Sequence, residues 1–427
     1  MLLIELNEFN PAFMEKVARD LQAPHLLRLL SLPHSRTHTD EQDERYGLDP
    51  WVQWVSVHTG QPATRHGVRH LADLSQLAHP QLWETLGERG LTTGVWGAMN
   101  ASGANARGMQ FFFPDPWSFE QKAQPPCLNE LLALPAYYAK NYGDLKLLPL
   151  ASTGAALLKF VLRPSIFRAL LPIAPKVLLT LCRHGFSDHV LFALFDLVNA
   201  TLFAHFHKKY QPDCAIVFFN SLAHFQHHKW FSANEVSAEA QVVYGLMDAA
   251  LGKVFSLCDG GRPFLVANAF SQECSYDRRE FLYRQKNPAA FLQATGIAFA
   301  RVEQLMTNDG HVFFDSPEQA LVAKNILEQV RLQQQPLFHV DWQENAPQRL
   351  FFQVSFWGDI PPGTVFFING RSLSFFDCFD RVTRRSGSHV PAGDVFASGL
   401  QLPGVFYNHE LFDCVLQALQ AKTGESK

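Results

Sequence analysis

Short apolar runs alternate along this chain with segments whose apolar residues recur at the helical period of about 3.6. The predicted strands lie at residues 2–6, 93–96, 214–219, 264–267, 350–354, 364–368 and 394–397. The predicted helices lie at residues 11–21, 24–32, 82–89, 237–257 and 410–420. Strands separated by helices pair in parallel, because a parallel connection needs a crossover and the helix supplies it. The pattern therefore predicts an α/β fold whose mostly parallel sheet is sandwiched by helices.

Residues 121–210 depart from this pattern, because they are rich in leucine, alanine and phenylalanine and are interrupted by prolines. Basic residues recur along them at Lys159, Arg163, Arg168, Lys176 and Arg183. We expect a helical insert that divides an α/β core into residues 1–120 and 211–427. The insert either caps the core or offers a basic amphipathic surface for peripheral contact with a membrane. Its apolar stretches read as shorter than the roughly 20 residues that a spanning helix needs.

Composition narrows the class of protein. Of the 427 residues, 47% are hydrophobic, which is enough for a large buried core. The formal net charge of −4 gives no indication of a nucleic-acid partner. The seven cysteines are scattered without a CxxC pair, which argues against a disulfide framework or a structural zinc knuckle. Glu5 and Glu8 interrupt the first apolar run, so no secretory signal is predicted. We expect a cytoplasmic protein, associated with a membrane if the insert contacts lipid.

One stretch is more specific than the rest. Residues 51–60 read WVQWVSVHTG and are followed by Pro62 and by His66-Gly67-Val68. This segment resembles the nucleophile helix of the alkaline phosphatase superfamily, in the branch of type I phosphodiesterases and nucleotide pyrophosphatases. Four further segments resemble family motifs in the family's order: residues 3–8, 82–96, 212–219 and 388–393. The resemblance covers about residues 1–115 and 211–420, and it implies an alkaline phosphatase-like fold.

The resemblance also implies a metal site, in which relatives hold two divalent ions with aspartate and histidine and attack with threonine or serine. Here the nucleophile position falls at Asp49-Pro50, which has no hydroxyl. The two histidines that match the family are His227 and His389. Other ligand positions carry weak or non-ligating residues: Asn7, Ala223, Ala269 and Phe270. We therefore expect a reduced site that holds one divalent ion, with zinc as the candidate.

Three histidines lie close together in the segment AHFQHH, at His224, His227 and His228. If the segment is helical, their spacing of three and four residues places them on one face, which suits shared ligation by imidazole. The alternative is that one of them is a ligand and the others are solvated or capping groups. The predicted metal set is therefore drawn from Asn7, His224, His227, His228 and His389.

Candidate catalytic residues are Asp49, at the nucleophile position, and Glu5, near the carboxyl end of the first strand, where open α/β sheets bind ligands. Strand alternation points Glu5 and Asn7 to the same side. Glu8 also flanks Asn7, where a buried carboxylate would be a plausible acid or base, and a helix-capping role for Glu8 is an equal alternative. Arg284 and Arg384 are the candidate substrate-binding groups, because guanidinium suits phosphate and sulfate.

The expected function is a hydrolase or transferase that acts on a phosphate or sulfate ester through this reduced metal site. The AHFQHH segment resembles a bacterial subgroup associated with surface-polysaccharide gene clusters, which implies a glycan or lipid-linked sugar as the substrate. The alternative is a catalytically silent family member that binds a glycan or a partner protein in a polysaccharide biosynthesis assembly.

Overall fold

The computed structural model describes residues 1–41, 47–71, 73–74, 77–103, 105–141, 145–306 and 308–424. The chain forms two compact units. The first unit comprises Met1–Tyr137, Leu147–Cys274 and Ser386–Lys427, and the second comprises Tyr138–Lys146 and Ser275–Arg385. The sequence patterns placed all of residues 211–427 in one core, and they did not predict the separate unit at 275–385.

Regular elements cover most of the described residues. The strands are β1 (Leu2–Leu6), β2 (His34–His38), β3 (Thr93–Trp96), β4 (Met109–Phe113), β5 (Cys214–Phe219), β6 (Phe264–Ala267), β7 (Ser271–Cys274), β8 (Phe281–Gln285), β9 (Arg301–Gln304), β10 (Asp309–Phe313), β11 (Arg331–Leu332), β12 (Gln335–Pro336), β13 (Phe338–Trp342), β14 (Arg349–Val354), β15 (Val365–Ile368), β16 (Arg371–Ser374), β17 (Phe379–Arg384), β18 (Gly387–Val390), β19 (Ala392–Ser398) and β20 (Val405–Tyr407). The helices are α1 (Pro11–Leu21), α2 (Pro24–Leu30), α3 (Pro50–Thr59), α4 (Ala63–His66), α5 (Leu82–Glu88), α6 (Leu128–Asn141), α7 (Leu147–Val161), α8 (Pro164–Leu170), α9 (Ala174–His184), α10 (Asp188–Tyr210), α11 (Ser221–Lys229), α12 (Ala238–Phe255), α13 (Pro288–Thr295), α14 (Pro317–Glu328), α15 (Phe375–Cys378) and α16 (Leu411–Gly424).

The first unit contains an eight-stranded sheet in the order β20-β2-β19-β6-β1-β5-β3-β4. Strand β19 is antiparallel to both of its neighbours, and the other neighbouring strands are parallel. Strand β1 lies between β5 and β6, and every one of its residues is buried. Parallel strands covered on both faces are apolar along their whole length, which explains why these strands read as short apolar runs. The predicted α/β class and the mostly parallel sheet are confirmed.

Helix α12 contacts α1, α2 and α10, and the four helices bury apolar faces in a core shared with β1, β5 and β6. Helix α1 starts at Pro11, where the side chain of Asn10 accepts a hydrogen bond from the backbone N–H of Phe13. Helix α12 starts after Ser237, which caps it in the same way. Such caps satisfy N–H groups that have no partner inside the helix, so local sequence fixes where the helices enter the core.

The segment between residues 121 and 210 consists mainly of helices, α6 to α10. Two stretches, Pro164–His184 and Asp188–Tyr210, are long and apolar enough to cross a membrane by length and composition alone. The expectation that no apolar stretch reaches spanning length is therefore wrong. The helical path continues through the prolines as a short 3₁₀ turn at Leu171–Ile173. In an 18-residue window of the second stretch 67% is buried, as in a core helix, whereas in a window of the first stretch 11% is buried.

The second unit has its own sheet, β13-β14-β10-β9, in which neighbouring strands are antiparallel. Helices α13 and α14 contribute to a separate apolar core. The core is rich in aromatic rings, with Phe375 and Phe379 stacked at 4.7 Å between centroids. A separate core is the physical mark of an independent domain.

Candidate metal centre

Glu8 lies just beyond the carboxyl end of β1, which ends at Leu6. Its backbone has a φ of 53°, in the left-handed region that non-glycine residues rarely adopt. The side-chain alternation of the strand therefore stops before Glu8. The residue is 1% exposed, so its carboxylate is held inside the protein.

Two histidines from distant parts of the sequence meet this carboxylate. His227 in α11 and His389 in β18 place their Nε2 atoms 2.9 and 3.1 Å from Glu8 Oε2, and 3.3 Å from each other. Among the described residues, Glu8, His227 and His389 form the one group of three whose ligand atoms suit a metal ion. The histidines converge as the motif correspondence predicts, but Glu8 is absent from the predicted metal set.

The protonation of His389 is set by its surroundings. Its Nδ1 lies 2.6 Å from the backbone carbonyl oxygen of Leu48. A carbonyl only accepts, so Nδ1 carries a proton and Nε2 faces Glu8 and His227. A carboxylate oxygen and two imidazole nitrogens stay this close when a hydrogen-bonding proton or a metal ion lies among them. A proton on His227 Nε2, a proton shared in an imidazolium–carboxylate pair, or a metal ion would each hold the three atoms together.

The spacing of the three atoms fits a metal ion. Zinc–ligand distances of about 2.0–2.1 Å in tetrahedral geometry separate neighbouring ligand atoms by about 3.3 Å. The separations in this cluster are 2.9, 3.1 and 3.3 Å. Two imidazoles and one carboxylate also form a donor set that catalytic zinc sites use while keeping the fourth position open. The residues present therefore fit one divalent ion.

The charge of Glu8 suits ligation. Burial alone would raise the pKa of this carboxyl, but the neighbouring imidazoles of His389 and His227 hold the pKa well below its ordinary value. Glu8 is therefore ionised at neutral pH, which is the form that binds a cation.

Asn7, a predicted ligand, contributes differently. Its Nδ2 donates to Glu8 Oε1 at 2.9 Å and to Asn220 Oδ1 at 2.8 Å. Its Oδ1 accepts from the indole N–H of Trp54 at 2.8 Å. An amide nitrogen has no lone pair for a metal, so Asn7 in this position orients the carboxylate of Glu8. Gln272 Nε2 donates to the other oxygen of that carboxylate.

Gly387 allows His389 to approach His227 closely. Strands β18 and β7 pair so that His389 lies opposite Gln272. A Cβ at Gly387 would lie 2.2 Å from Gln272 Oε1 and 2.7 Å from the carbonyl oxygen of Gln226. Since Gln226 precedes His227, β18 can approach α11 this closely only because residue 387 lacks a side chain.

The other two histidines of α11 lie apart from this group. The rings of His224 and His228 are 4.6 Å apart, and His224 also stacks on Phe192 at 4.0 Å. Burial lowers the pKa of His224 to about 3, so the ring is neutral at physiological pH. The spacing of four residues pairs His224 with His228, whereas His227 turns toward Glu8.

The two predicted catalytic carboxylates have different surroundings. Glu5 is fully buried and lies 2.6 Å from Nε2 of His58, also fully buried. It therefore faces the packed interior at α3. Asp49 occupies the N-cap position of α3, one residue after Leu48, whose carbonyl contacts His389.

The Ser56–His66 pair, at 3.0 Å, offers no activated nucleophile. The backbone N–H of Val68 donates to His66 Nδ1, so Nε2 carries the proton and cannot accept one from Ser56.

The predicted substrate-binding arginines both belong to the second unit. Arg284 donates to the carbonyl oxygen of Leu305, and burial lowers the pKa of its guanidinium to about 10. Arg384 donates to the carbonyl oxygen of Tyr276 and lies 3.6 Å from the centroid of that ring. Their role in binding an anion stays a prediction.

Three positions at which the sequence resemblance implies further metal ligands carry apolar residues. Ala223, Ala269 and Phe270 are buried, and the ring of Phe270 lies 4.9 Å from that of His389. These side chains have no lone pairs, and Phe270 fills space beside the ligand. Within the described part of the chain the arrangement supports one ion.

Comparison with known proteins gives structural similarities alone. No family model and no curated protein matches the sequence. Among solved structures, phosphonoacetate hydrolase from Sinorhizobium meliloti 1021, in complex with phosphonoformate, is similar with a TM-score of 0.48 and 13% identity over 98% of this chain and 95% of that one. Human ectonucleotide pyrophosphatase/phosphodiesterase 5 is similar with a TM-score of 0.47 and 10% identity over 98% of this chain and 94% of that one. The murine protein has a TM-score of 0.43 and 9% identity over 98% of this chain and 95% of that one.

Because the TM-scores are below 0.5 and the identities are 13% or less, the similarities assign no activity to the chain.

Chelator-stripped protein is expected to bind about one equivalent of Zn²⁺ in calorimetric titration. His227→Ala should weaken binding by more than the roughly 10–100-fold that loss of an outer partner costs. The matched variant His228→Ala, on the same helix, should bind as the wild type does. Affinity should fall as pH drops through the ordinary imidazole range near about 6.5, because protons compete for the ligands. Two tightly bound equivalents, or equal losses in both variants, would contradict the ligand assignment.

Gly387→Ala is expected to weaken zinc binding by about tenfold or more, because the new methyl group must displace β18 and with it His389. Gly245→Ala is the control, since its Cβ would meet nothing nearer than 3.8 Å. Competition against a chromophoric chelator measures the affinity, and thermal unfolding shows whether the fold persists. Unchanged affinity in Gly387→Ala would show that the close approach is not required.

Proposed function

We propose that this chain is a divergent member of the alkaline phosphatase superfamily that hydrolyses or transfers a phosphate or sulfate ester with one divalent metal ion. Zinc is the ion that the donor set fits best. The observation that carries the proposal is the convergence of Glu8, His227 and His389 on one small volume. The mixed α/β sheet around it, the order of the sequence motifs and the apolar second-metal positions also support it.

The position of the cluster in the fold favours a ligand-binding site. Glu8 follows β1, and α11, which carries His227, starts two residues after β5 ends at Phe219. Strands β1 and β5 are parallel neighbours, so both residues lie at the same edge of the sheet. Open α/β sheets bind their ligands at the carboxyl ends of parallel strands.

A bound metal ion would polarise a phosphoryl or sulfuryl oxygen and stabilise negative charge in the transition state. Glu8, His227 and His389 would hold that ion, and Asn7 and Gln272 would orient Glu8. Asp49 would accept the proton of the attacking water or alcohol as its oxygen bonds to phosphorus or sulfur and the ester oxygen departs. The N-terminus of α3, beside Asp49, favours an anionic group through the helix dipole. Glu5, fully buried against His58, takes no part in this step.

The substrate class follows from resemblance. We propose a phosphorylated or sulfated glycan or lipid-linked sugar, because AHFQHH resembles the subgroup associated with polysaccharide gene clusters. Among the similar structures, one is a phosphonoacetate hydrolase and one was solved with AMP, so those proteins bind small phosphorus compounds. Arg284 and Arg384 are the proposed anion-binding groups, and a cytoplasmic location stays part of the proposal.

The ion-pair geometry of the cluster also supports a second function, in which no metal ion is bound. The cluster is electrostatically complete without a metal if an imidazolium pairs with the ionised Glu8. In that state the chain would be a catalytically silent member of the family that binds a glycan or a partner protein in a biosynthetic assembly.

The zinc-loaded protein is expected to turn over at least one member of a panel of phosphodiesters, phosphomonoesters and sulfate esters. Asp49→Asn should lower kcat by about 10²–10⁴-fold, the usual contribution of a general base, while zinc affinity stays unchanged. His227→Ala should lose both metal and activity, and His228→Ala should keep both. Zinc binding without turnover on any ester, in chromogenic and phosphate-release assays, would favour the silent binding protein.

A further inference from the structure

Helix α7 carries a set of leucines that project into solvent. Leu147 and Leu148 are 83% and 85% exposed, and Leu158 is 57% exposed; Leu162, directly after the helix ends, is 62% exposed. Residues 147, 151 and 158 recur at the helical period, so they lie on one face of the helix. Phe160 points the other way and is fully buried. The outward face of α7 is therefore apolar, whereas a soluble helix normally presents polar residues there.

Helix α9 also presents exposed leucines to solvent. Leu178 and Leu179 are 63% and 50% exposed, and Cys182 is exposed one turn after Leu178. Lys176 and Arg183 are seven residues apart and lie together on one side of this apolar strip. A strip of exposed leucine with basic residues along its edge is the signature of a helix that lies in a membrane interface.

The charge of this segment differs in sign from that of the chain. Residues 147–187 contain five basic residues and no aspartate or glutamate, whereas the whole chain has 36 Lys and Arg and 40 Asp and Glu. The rest of the chain therefore has 31 basic and 40 acidic residues, a formal charge of −9 against +5 for the segment. Lys159 and Arg163 pair with Glu130. Arg168, Lys176 and Arg183 make no ion pair with the residues that the structure describes.

We propose that the lipid-facing surface, formed by the exposed apolar and basic residues of α7, α8 and α9, docks the protein on an anionic bilayer. The leucines would enter the boundary between headgroups and acyl chains, and Arg168, Lys176 and Arg183 would lie against anionic headgroups. This proposal is independent of the metal centre and of any catalytic activity.

The composition favours docking in the plane of the membrane over spanning it. Pro164–His184 has spanning length, but Arg168 and Lys176 lie within it. Charged residues at the centre of a spanning helix are costly, whereas in an interfacial helix they stay among the headgroups. A second copy of this chain is a poor occupant, because a symmetric contact would bring two basic surfaces together.

The test is flotation of the full chain with vesicles of phosphatidylcholine alone or with about 30% phosphatidylserine. The wild type is expected to float with the anionic vesicles, weakly with the neutral ones, and less at high salt, because salt screens the basic residues. Lys176→Glu with Arg183→Glu should lower the apparent affinity by about tenfold or more. The charge-matched control is Arg89→Glu with Arg107→Glu, which reverses two exposed arginines outside the segment and should float as the wild type does.

The apolar contribution is tested with Leu147→Ser, Leu148→Ser and Leu178→Ser together. This variant should lose flotation, and the control Leu321→Ser, Val322→Ser and Val405→Ser should keep it. All these side chains are at least partly exposed, and circular dichroism checks the fold. If the leucine variant unfolds, the charge-reversal pair still decides the question.

Several outcomes would overturn the proposal. One is no flotation of the wild type, and another is equal binding to neutral and anionic vesicles. Resistance to extraction at alkaline pH would show a spanning helix instead. A dimer that the leucine variant converts to a monomer, without vesicle binding, would show that a second copy covers this surface. Equal flotation of the charge-reversal variant and its control would show that Lys176 and Arg183 do not contribute to vesicle binding.

Discussion

The candidate site depends on the close approach of one carboxylate oxygen and two imidazole nitrogens, which lie 2.9 to 3.3 Å apart. The carboxylate of Glu8 faces the Nε2 atoms of His227 and His389, and the Leu48 carbonyl fixes the proton of His389 on Nδ1. Such an arrangement needs a proton or a metal ion between the groups. The identity of that cation, proton or metal, separates an enzyme from a silent binding protein.

The fold supplies this arrangement from elements that are distant in sequence. Strand β1 lies at the centre of the sheet and delivers Glu8, α11 after the neighbouring strand delivers His227, and the β7–β18 pair delivers His389. Gly387 allows the close approach of β18 to α11. The hydrogen bonds of Asn7 and Gln272 then hold the carboxylate in place. Rigid elements with a supporting layer of hydrogen bonds are what a metal site of fixed geometry requires.

Sequence reasoning identified the two histidines because they occupy motif positions, and it identified the α/β class because buried parallel strands are continuous apolar runs. It missed Glu8, because strand alternation was extended past Leu6 and the left-handed φ of 53° at Glu8 has no signature in residue type. The acidic pair of Glu5 and Glu8 beside Asn7 was the available signal. The second unit was missed because its strands resemble those of the first, and the division depends on long-range contacts. The length of Pro164–His184 was underestimated, because its prolines predict helix ends whereas the helical path continues through them.

X-ray absorption spectroscopy of the protein loaded with one equivalent of zinc tests the central claim most directly. The account predicts a first shell of nitrogen and oxygen at about 2.0–2.1 Å with two imidazole rings, and loss of one imidazole in His389→Ala. Sulfur scattering at about 2.3 Å, or an identical spectrum for wild type and His389→Ala, would contradict it.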